Sequence, residues 1–237
     1  LIAVGHETIQ QGVSRGIPES NFVFVPNGVT PANPDEIFTH QELEKLIGKE
    51  VKGHILLTIG RLVKRKGVAW FIDNVFGTLN ENIVYIVAGA GKEETNILSA
   101  IQNNHLQERV FFIGEITERD KNLLFTTADI FIQPNIKVDG DMEGFGLVVL
   151  EAAAHGCVVI ASRLEGLIDS VQPGQNGYLV TPGNAREYRE VIESILENPQ
   201  QMKSHGQRAR IYVENNYSWS LIARKYLDAL ARLDTKG

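Results

Sequence analysis

Apolar residues along the chain occur in short, nearly continuous runs, and segments with apolar residues at helical spacing separate these runs. Continuous apolar runs are typical of strands in a parallel sheet covered on both faces, because neither face of such a strand meets water. Strands are predicted at 2–4, 22–25, 54–59, 83–88, 110–113, 130–133, 157–161 and 177–180. Helices are predicted at 6–15, 68–79, 93–104, 118–127, 147–155, 185–197, 200–215 and 219–233.

The alternation of strands and helices predicts an α/β fold with a doubly wound, Rossmann-like parallel sheet. In such a fold the ligand binds outside the carboxyl ends of the strands, where the loops begin. Three prolines and a glycine lie between residues 26 and 34, which is typical of a linker. We therefore divide the chain into a leading segment with the linker, residues 1–35, a binding domain, residues 36–215, and a C-terminal helix, residues 216–237.

The composition argues against several classes of function. The formal net charge of -6 does not suit general nucleic-acid binding, which requires a basic surface. No stretch approaches the ~20 apolar residues of a membrane span. Cys157 is the single cysteine, so no intramolecular disulfide is possible and a reducing compartment is expected. We expect a cytoplasmic protein, with peripheral attachment to the inner face of the membrane as an alternative.

A basic turn follows the predicted strand 54–59. Four cations occupy the six positions between Gly60 and Gly67, and a predicted helix begins directly afterwards. Glycines allow the backbone to approach a ligand closely, and cations beside a helix N-terminus suit a diphosphate. A solvated basic turn is the alternative interpretation. The position at the carboxyl edge of a sheet, in an acidic protein, favours phosphate binding.

A second motif carries two carboxylates, Glu143 and Glu151, on either side of the predicted start of a helix. Gly144 and Gly146 open that helix, so free backbone N–H groups are expected to point at the loop. Leu147 and Glu151 are four residues apart and share one helix face. Both carboxylates could therefore line one ligand, although a structural role for Glu151 as the cap of a neighbouring loop is an alternative.

Three other patterns are weaker. Gly89-Ala90-Gly91 lacks the third glycine of a dinucleotide-binding loop, since position 94 is Glu94, which argues against a nicotinamide-dependent oxidoreductase. Asp139-Gly140-Asp141 is typical of a turn rather than a metal site. The six histidines are scattered and form no metal-binding constellation, so no metal site is predicted.

Together these segments resemble the C-terminal domain of retaining glycosyltransferases with the GT-B fold, in the large family 4. The matching segments occur in the family's order along essentially the whole chain. They are Pro26-Asn27-Gly28-Val29, Gly60-Arg61-Leu62 with Lys66-Gly67, Phe112-Ile113-Gly114, Glu143 to Glu151, Ala152 to Gly156, Asn176 to Val180 and Tyr217-Ser218-Trp219. Each motif is weak alone, but this many in order are highly specific.

The resemblance implies a donor site for a nucleotide-diphospho-sugar. Arg61 and Lys66 would bind the diphosphate and neutralise the departing nucleotide, and Glu143 would face the donor sugar, so these three residues are the expected catalytic group. Fixed cations stabilise the charge that separates when the sugar leaves its phosphate. Because these cations supply the charge, no metal or other cofactor is expected.

The remaining donor contacts are also implied by the resemblance. Glu151 would accept hydrogen bonds from the ribose hydroxyls, and the backbone of Ile116 would contact the base. Backbone N–H groups at the start of the helix would bind sugar hydroxyls and phosphate. The whole donor-binding set is Gly60, Arg61, Lys66, Ile116, Glu143, Gly144, Phe145, Gly146, Leu147 and Glu151.

At the level of the whole protein, the resemblance implies a retaining glycosyltransferase of polysaccharide biosynthesis. UDP-hexose is the expected donor, and the acceptor is an unnamed glycan or lipid. Residues 1–35 would be a remnant of the N-terminal domain with the linker, and residues 216–237 would pack on that missing domain. The chain alone is then expected to bind donor without transferring sugar. A stand-alone module that binds a nucleotide-sugar is the alternative.

Two segments depart from the family pattern. Arg163 to Asp169 replaces the more usual double-glycine segment that ends in Glu, and Gln133-Pro134-Asn135 replaces the common "PS". Neither departure falls on the expected donor residues.

Overall fold

The computed structural model describes residues 1–33 and 35–234. Pro34 of the predicted linker and residues 235–237 of the predicted C-terminal segment lie outside the described residues. The strands are β1 (Ile2–Ala3), β2 (Val23–Phe24), β3 (His54–Ile59), β4 (Ile83–Ala88), β5 (Val110–Gly114), β6 (Ile130–Gln133), β7 (Val158–Ser162) and β8 (Tyr178–Val180). The helices are α1 (His6–Ser14), α2 (His40–Ile47), α3 (Val68–Asn74), α4 (Glu94–Asn103), α5 (Glu118–Thr127), α6 (Leu147–Ala154), α7 (Leu167–Ser170), α8 (Ala185–Leu196), α9 (Pro199–Tyr217) and α10 (Trp219–Asp234).

Six strands form one sheet in the order β5-β4-β3-β6-β7-β8, and every neighbouring pair is parallel. Hydrophobic clusters cover both faces: β3 contributes Ile55 and Leu57 to one cluster and Leu56 to the other. This two-sided burial explains why the strand is apolar at successive positions. The predicted doubly wound α/β fold is confirmed.

The leading segment forms its own two-stranded parallel sheet, in which Ile2 pairs with Val23. Val25, which follows β2, is buried against Ile222 and Ala229 of α10. Residues 1–25 and the C-terminal helix therefore contact each other. Trp219, Leu227 and Leu230 of the same helix are exposed, while Ile222 is buried.

Two short helices were not predicted, and one predicted helix is shorter than expected. Helix α2 follows the proline-rich linker and has a complete capping box between Thr39 and Glu42. Helix α7 has four residues, too few to give a periodic pattern. The predicted helix 68–79 ends at Asn74, because Val75 (φ -119°, ψ -60°) departs from helical geometry before a 3₁₀ turn, Phe76–Thr78.

None of the helices in the described ranges is long and apolar enough to span a bilayer.

Two histidines give the folding stability a predicted dependence on pH. Burial lowers the pKa of His155 and of His205 below the ordinary value of 6.5. The unfolded chain then binds protons that the folded chain does not, so their contribution to stability is present above pH 6.5 and is lost as the pH falls below it. Arg208 donates to Nδ1 of His205, whose ring also stacks on Tyr178.

We expect His205→Gln to show a smaller loss of unfolding free energy between about pH 7.5 and about pH 5.5 than the unchanged chain does. Urea denaturation at the two pH values measures both losses, so any constant cost of the substitution cancels. His105→Gln changes an exposed histidine and should keep the original dependence. Equal pH dependence in the His205 variant and the unchanged chain would contradict the prediction.

Candidate functional site

The sheet reverses its strand order between β3 and β6, and this is where a doubly wound fold binds its ligand. The loops that follow these two strands are in direct contact. The N–H of Ile136 donates to the carbonyl oxygen of Arg65 (2.9 Å). A Cβ on Gly67 would lie 2.0 Å from the carbonyl oxygen of Pro134, so only glycine allows this approach. The basic turn and the loop that carries Glu143 therefore form one structure.

A buried charge cluster lies where the two loops meet. Lys66 donates to Oε2 of Glu143 at 2.6 Å, and Arg65 donates to the same oxygen. Arg65 also donates from Nε to Asp141 at 2.9 Å. Arg65, Lys66 and Glu143 are each less than 9% exposed. The cluster balances two cations with two carboxylates, as buried charges require.

The protonation states of Lys66 and Glu143 depend on their burial and on the charged groups around them. Burial opposes ionisation of Glu143, but Lys66, Arg65 and a hydrogen bond from Asn135 together hold the pKa of Glu143 below its ordinary value. Burial lowers the pKa of Lys66, Glu143 opposes this, and the nearby charges of Arg65 and Arg61 lower it further. We conclude that Glu143 is ionised.

Two hydrogen-bonded side-chain amides support the carboxylate of Glu143. Asn135 donates from Nδ2 to Oε2 of Glu143 (3.3 Å) and accepts from Gln133 (2.6 Å). The hydroxyl of Ser162 donates to the backbone oxygen of Asn135. Gln133, Asn135 and Ser162 are fully buried. The "QPN" departure from the family pattern thus places an amide donor directly against Glu143.

The segment after Glu143 leads into α6 and has open backbone donors, meaning N–H groups without a hydrogen-bond partner. Gly146 adopts a left-handed conformation (φ 74°) at the N-cap of α6, with no side-chain cap. Within the described residues, the backbone N–H groups of Gly144, Phe145 and Gly146 donate to no other group. Such groups at a helix N-terminus are a binding site for anions and hydroxyl oxygens.

The second carboxylate of the motif lies in a different environment. Glu151 faces α5 and accepts from Lys121 at 3.0 Å. Although burial works in the opposite direction, hydrogen bonds from this lysine to Glu118 and Glu151 raise the pKa of Lys121. Glu151 and Leu147 line a cavity of about 390 Å³ together with linker residues and Trp219. The shared face predicted for Leu147 and Glu151 is confirmed.

The other expected donor residues lie around the same edge. Gly60 follows β3 directly, with a φ of 150°, and its carbonyl oxygen closely approaches Gly89. Arg61 is exposed. Ile116 lies between β5 and α5, partly buried against the core. The strand ends thus bring the expected residues to one edge of the sheet, as the sequence predicts, while their roles toward a donor stay predictions.

The comparisons with known proteins decide the family. The model of the glycosyl transferases group 1 family matches residues 40–212. The chain belongs to this family. The predicted resemblance to GT-B glycosyltransferases is therefore confirmed.

Individual relatives are moderately similar. The chain is 28% identical over 194 residues to an uncharacterized glycosyltransferase of Methanocaldococcus jannaschii, covering 80% of the chain and 48% of that relative. It is 27% identical over 221 residues to the phosphatidyl-myo-inositol mannosyltransferase of Mycobacterium leprae, covering 92% of the chain and 55% of the relative. The chain thus spans about half the length of these family members.

The fold is shared with solved structures. The crystal structure of Anabaena HepE in complex with UDP and glucose superimposes with a TM-score of 0.84 at 22% identity. The superposition covers 98% of this chain and 62% of HepE. At this identity the likeness shows the fold of the family and no more.

Sequence reasoning missed several side chains that build the site. Arg65 belongs to the predicted basic turn, but the run Lys64-Arg65-Lys66 does not reveal which cations point inward. For Asp141 the sequence indicates only a turn, which is confirmed by the hydrogen bond from its N–H to Val138, yet its carboxylate also binds Arg65. Lys121, Asn135 and Glu165 were not predicted either. Among the described residues, no three His, Cys, Asp or Glu side chains group closely enough to hold a metal ion.

The close approach at Gly67 leads to a prediction about stability. Gly67→Ala would place a Cβ 2.0 Å from a backbone oxygen in a left-handed conformation (φ 66°). Gly48→Ala is the matched control, because Gly48 is also left-handed (φ 78°) but a Cβ there would have nothing within 4 Å. We expect a loss of about 1–2 kcal/mol for the control and on the order of 3 kcal/mol or more for Gly67→Ala. Urea denaturation measures both, and equal losses would show that the two loops separate at little cost.

Proposed function

We propose that this chain is the donor-binding half of a retaining glycosyltransferase that transfers a hexose from a UDP-hexose to a glycan or lipid acceptor. The observation that carries the proposal is the buried Lys66–Glu143 pair beside the open N–H groups of Gly144, Phe145 and Gly146. A cation, a carboxylate and free donors within one loop suit a ligand that has both a diphosphate and hydroxyl groups.

The chemistry assigns each group a part. Transfer breaks the bond between the anomeric carbon and the phosphate oxygen, so positive charge grows on the sugar ring and negative charge on the leaving nucleotide. Lys66 and Arg61 stabilise the leaving diphosphate, and Glu143 faces the developing positive charge. These cations make a metal ion unnecessary in the proposed reaction. The resemblance to family 4 supports retention of the anomeric configuration.

The nucleoside part of the donor is assigned to the other side of the site. Glu151 accepts hydrogen bonds from the ribose hydroxyls, and the backbone of Ile116 meets the base. Donor binding then draws Glu151 partly away from Lys121, which keeps Glu118 as a second partner at 2.8 Å. UDP is the proposed nucleotide because HepE, which shares the fold, was crystallised with UDP and glucose.

The acceptor lies beyond the donor residues. The alignments cover only about half the length of the two family members from Methanocaldococcus and Mycobacterium, and we infer that an N-terminal domain supplies acceptor binding in the whole enzyme. The partners proposed for this chain are a nucleotide-diphospho-sugar, that N-terminal domain and an acceptor. Association with polysaccharide biosynthesis and a cytoplasmic location are part of the same proposal.

Nucleotide binding is the first test. UDP at ~100 times its dissociation constant should stabilise the chain by about 2.7 kcal/mol, measured as a shift of the thermal unfolding midpoint. GDP and ADP serve as comparisons for the base. Absence of any shift with all three nucleotides at millimolar concentration would refute the donor site.

Calorimetry should distinguish the proposed roles of Glu151 and Glu143. Glu151→Ala should weaken UDP binding by roughly 1.5–3 kcal/mol, because the ribose loses a charged acceptor. Glu50→Ala is its control, since it removes an exposed carboxylate that pairs with Lys52 before β3, at the opposite end of that strand from the site, and it should bind UDP as before. Glu143→Gln should bind UDP at least as tightly, because Lys66 is released, but should bind UDP-glucose more weakly. The reverse order of effects would overturn the two assignments.

We further expect the 237-residue chain to bind donor without multiple-turnover transfer. Transfer requires the acceptor hydroxyl to be held roughly 3–3.5 Å from the anomeric carbon, and the proposed acceptor domain is not among these residues. The measurement is incubation with labelled UDP-glucose and a panel of sugar and lipid acceptors, with slow hydrolysis of the donor as the background. Efficient transfer by this chain would mean that it contains an acceptor site of its own.

A further inference from the structure

Glu165 adopts a backbone conformation that is unfavourable for its residue type. Its φ is 50°, in the left-handed region, where a Cβ clashes with the neighbouring carbonyl oxygen. Among the described residues other than glycine, only His105 (φ 56°) also has a positive φ. Glu165 stands in the segment where the family more usually has two glycines, which would avoid this strain. A strained residue at a candidate site requires an explanation from its side chain.

The side chain of Glu165 is buried, and each of its carboxylate oxygens has a hydrogen-bond donor. The side chain is only 4% exposed. Oε2 accepts the backbone N–H of Glu143 at 2.7 Å, and Oε1 accepts from Lys137 at 2.9 Å. Burial of a charged carboxylate is costly without such partners, so these two contacts define the position of the side chain.

The neighbouring residue holds the same peptide from the other side. The N–H of Gly166 donates to the carbonyl oxygen of Glu143 at 3.0 Å. A Cβ on Gly166 would lie 2.4 Å from the carbonyl group of Gly144 and 2.5 Å from the nitrogen of Phe145. Glu165 and Gly166 therefore bind both backbone polar groups of Glu143 and press against the next two residues.

We propose that Glu165 is a positioning residue for the donor sugar. Its carboxylate fixes the peptide of Glu143, and through it both the direction of the Glu143 side chain and the open N–H groups of the following glycine segment. The inference rests on the proposed donor site and adds a residue that acts on the sugar part of the donor and not on the nucleotide. A glycine at this position would avoid the backbone strain, but it would offer no side-chain acceptor for the N–H of Glu143.

Three substitutions distinguish the effect of the strained backbone at Glu165 from the effect of its carboxylate. Glu165→Gly removes both the strain and the acceptor, and Glu165→Ala keeps the strain but removes the acceptor. Glu165→Gln keeps an oxygen that can accept the N–H of Glu143. His105→Gly is the matched control, because it relieves the same kind of strain at an exposed position outside the site.

The measured quantity is the ratio of the dissociation constants for UDP and UDP-glucose, from calorimetry on the 237-residue chain. We expect Glu165→Gly and Glu165→Ala to leave UDP binding nearly unchanged and to weaken UDP-glucose binding about tenfold, the size of one hydrogen bond to a charged acceptor. Glu165→Gln and His105→Gly should keep the original ratio. Glu165→Gly should unfold at a higher temperature than Glu165→Ala, because it lacks the strain.

The outcomes distinguish this inference from the proposed function. If the unchanged chain binds neither ligand, the donor site itself is wrong. If it binds both, but Glu165→Gly and Glu165→Ala keep the original ratio, the donor site stands and the role of Glu165 is refuted. A Gln variant as weak toward UDP-glucose as the Ala variant would also refute the proposed acceptor role.

Discussion

Two cations buried against one carboxylate constrain the whole carboxyl edge of the sheet. Lys66 and Arg65 meet on a single oxygen of Glu143. Separating such a pair leaves an uncompensated buried charge, which costs far more than the pair contributes when intact. The turn after β3 and the loop after β6 therefore have one arrangement in which both are satisfied. The sheet order supplies that arrangement, because it makes these two strands neighbours.

The cluster also concentrates cations at one edge of an acidic chain. Arg65 and Lys66 are balanced by Asp141 and Glu143, and Arg61 lies near enough to lower the pKa of Lys66. In formal charges, these three cations exceed the two carboxylates by one, although the chain as a whole has a net charge of -6. Close to the open N–H groups, these cations determine the local electrostatic potential. Salt screens the contribution of the surface carboxylates, which are more distant.

The fold could be predicted because a strand that is buried on both faces of the sheet has apolar residues at consecutive positions. Four of the five positions after His54 in β3 are apolar, and the fifth is Thr58, whose hydroxyl donates to the backbone oxygen of Ile132. The parts that escaped prediction depend on partners distant in sequence. Nothing local distinguishes Arg65 from Lys64, yet one is buried and the other exposed. The end of α3 at Asn74 was equally invisible, because apolar spacing continues through Val75 and Phe76.

The candidate site was predictable in its location and only partly in its bonding. Gly60 marks the turn at the end of β3, and Gly144 and Gly146 mark the start of α6, so the sequence indicated which edge of the sheet to consider. The partner of Glu151 is Lys121, which lies 30 residues earlier in the chain and meets it only because α5 and α6 are adjacent. The role of Glu165 was the hardest to predict, because its backbone is in the left-handed region, which residues other than glycine rarely adopt.

Several locally unfavourable features lie at this edge of the sheet. They include the strained backbone of Glu165, the open N–H groups before α6 and the oxygen of Gln133, which is buried without a partner among the described residues. The clusters on the two faces of the sheet have few such features, because there side-chain size and apolar character decide the packing. A stable sheet can hold strained or unpaired groups in place, whereas a flexible loop would relax and satisfy them. The two requirements of the site, groups left available for a ligand and groups fixed in direction, are therefore met by the same rigid support.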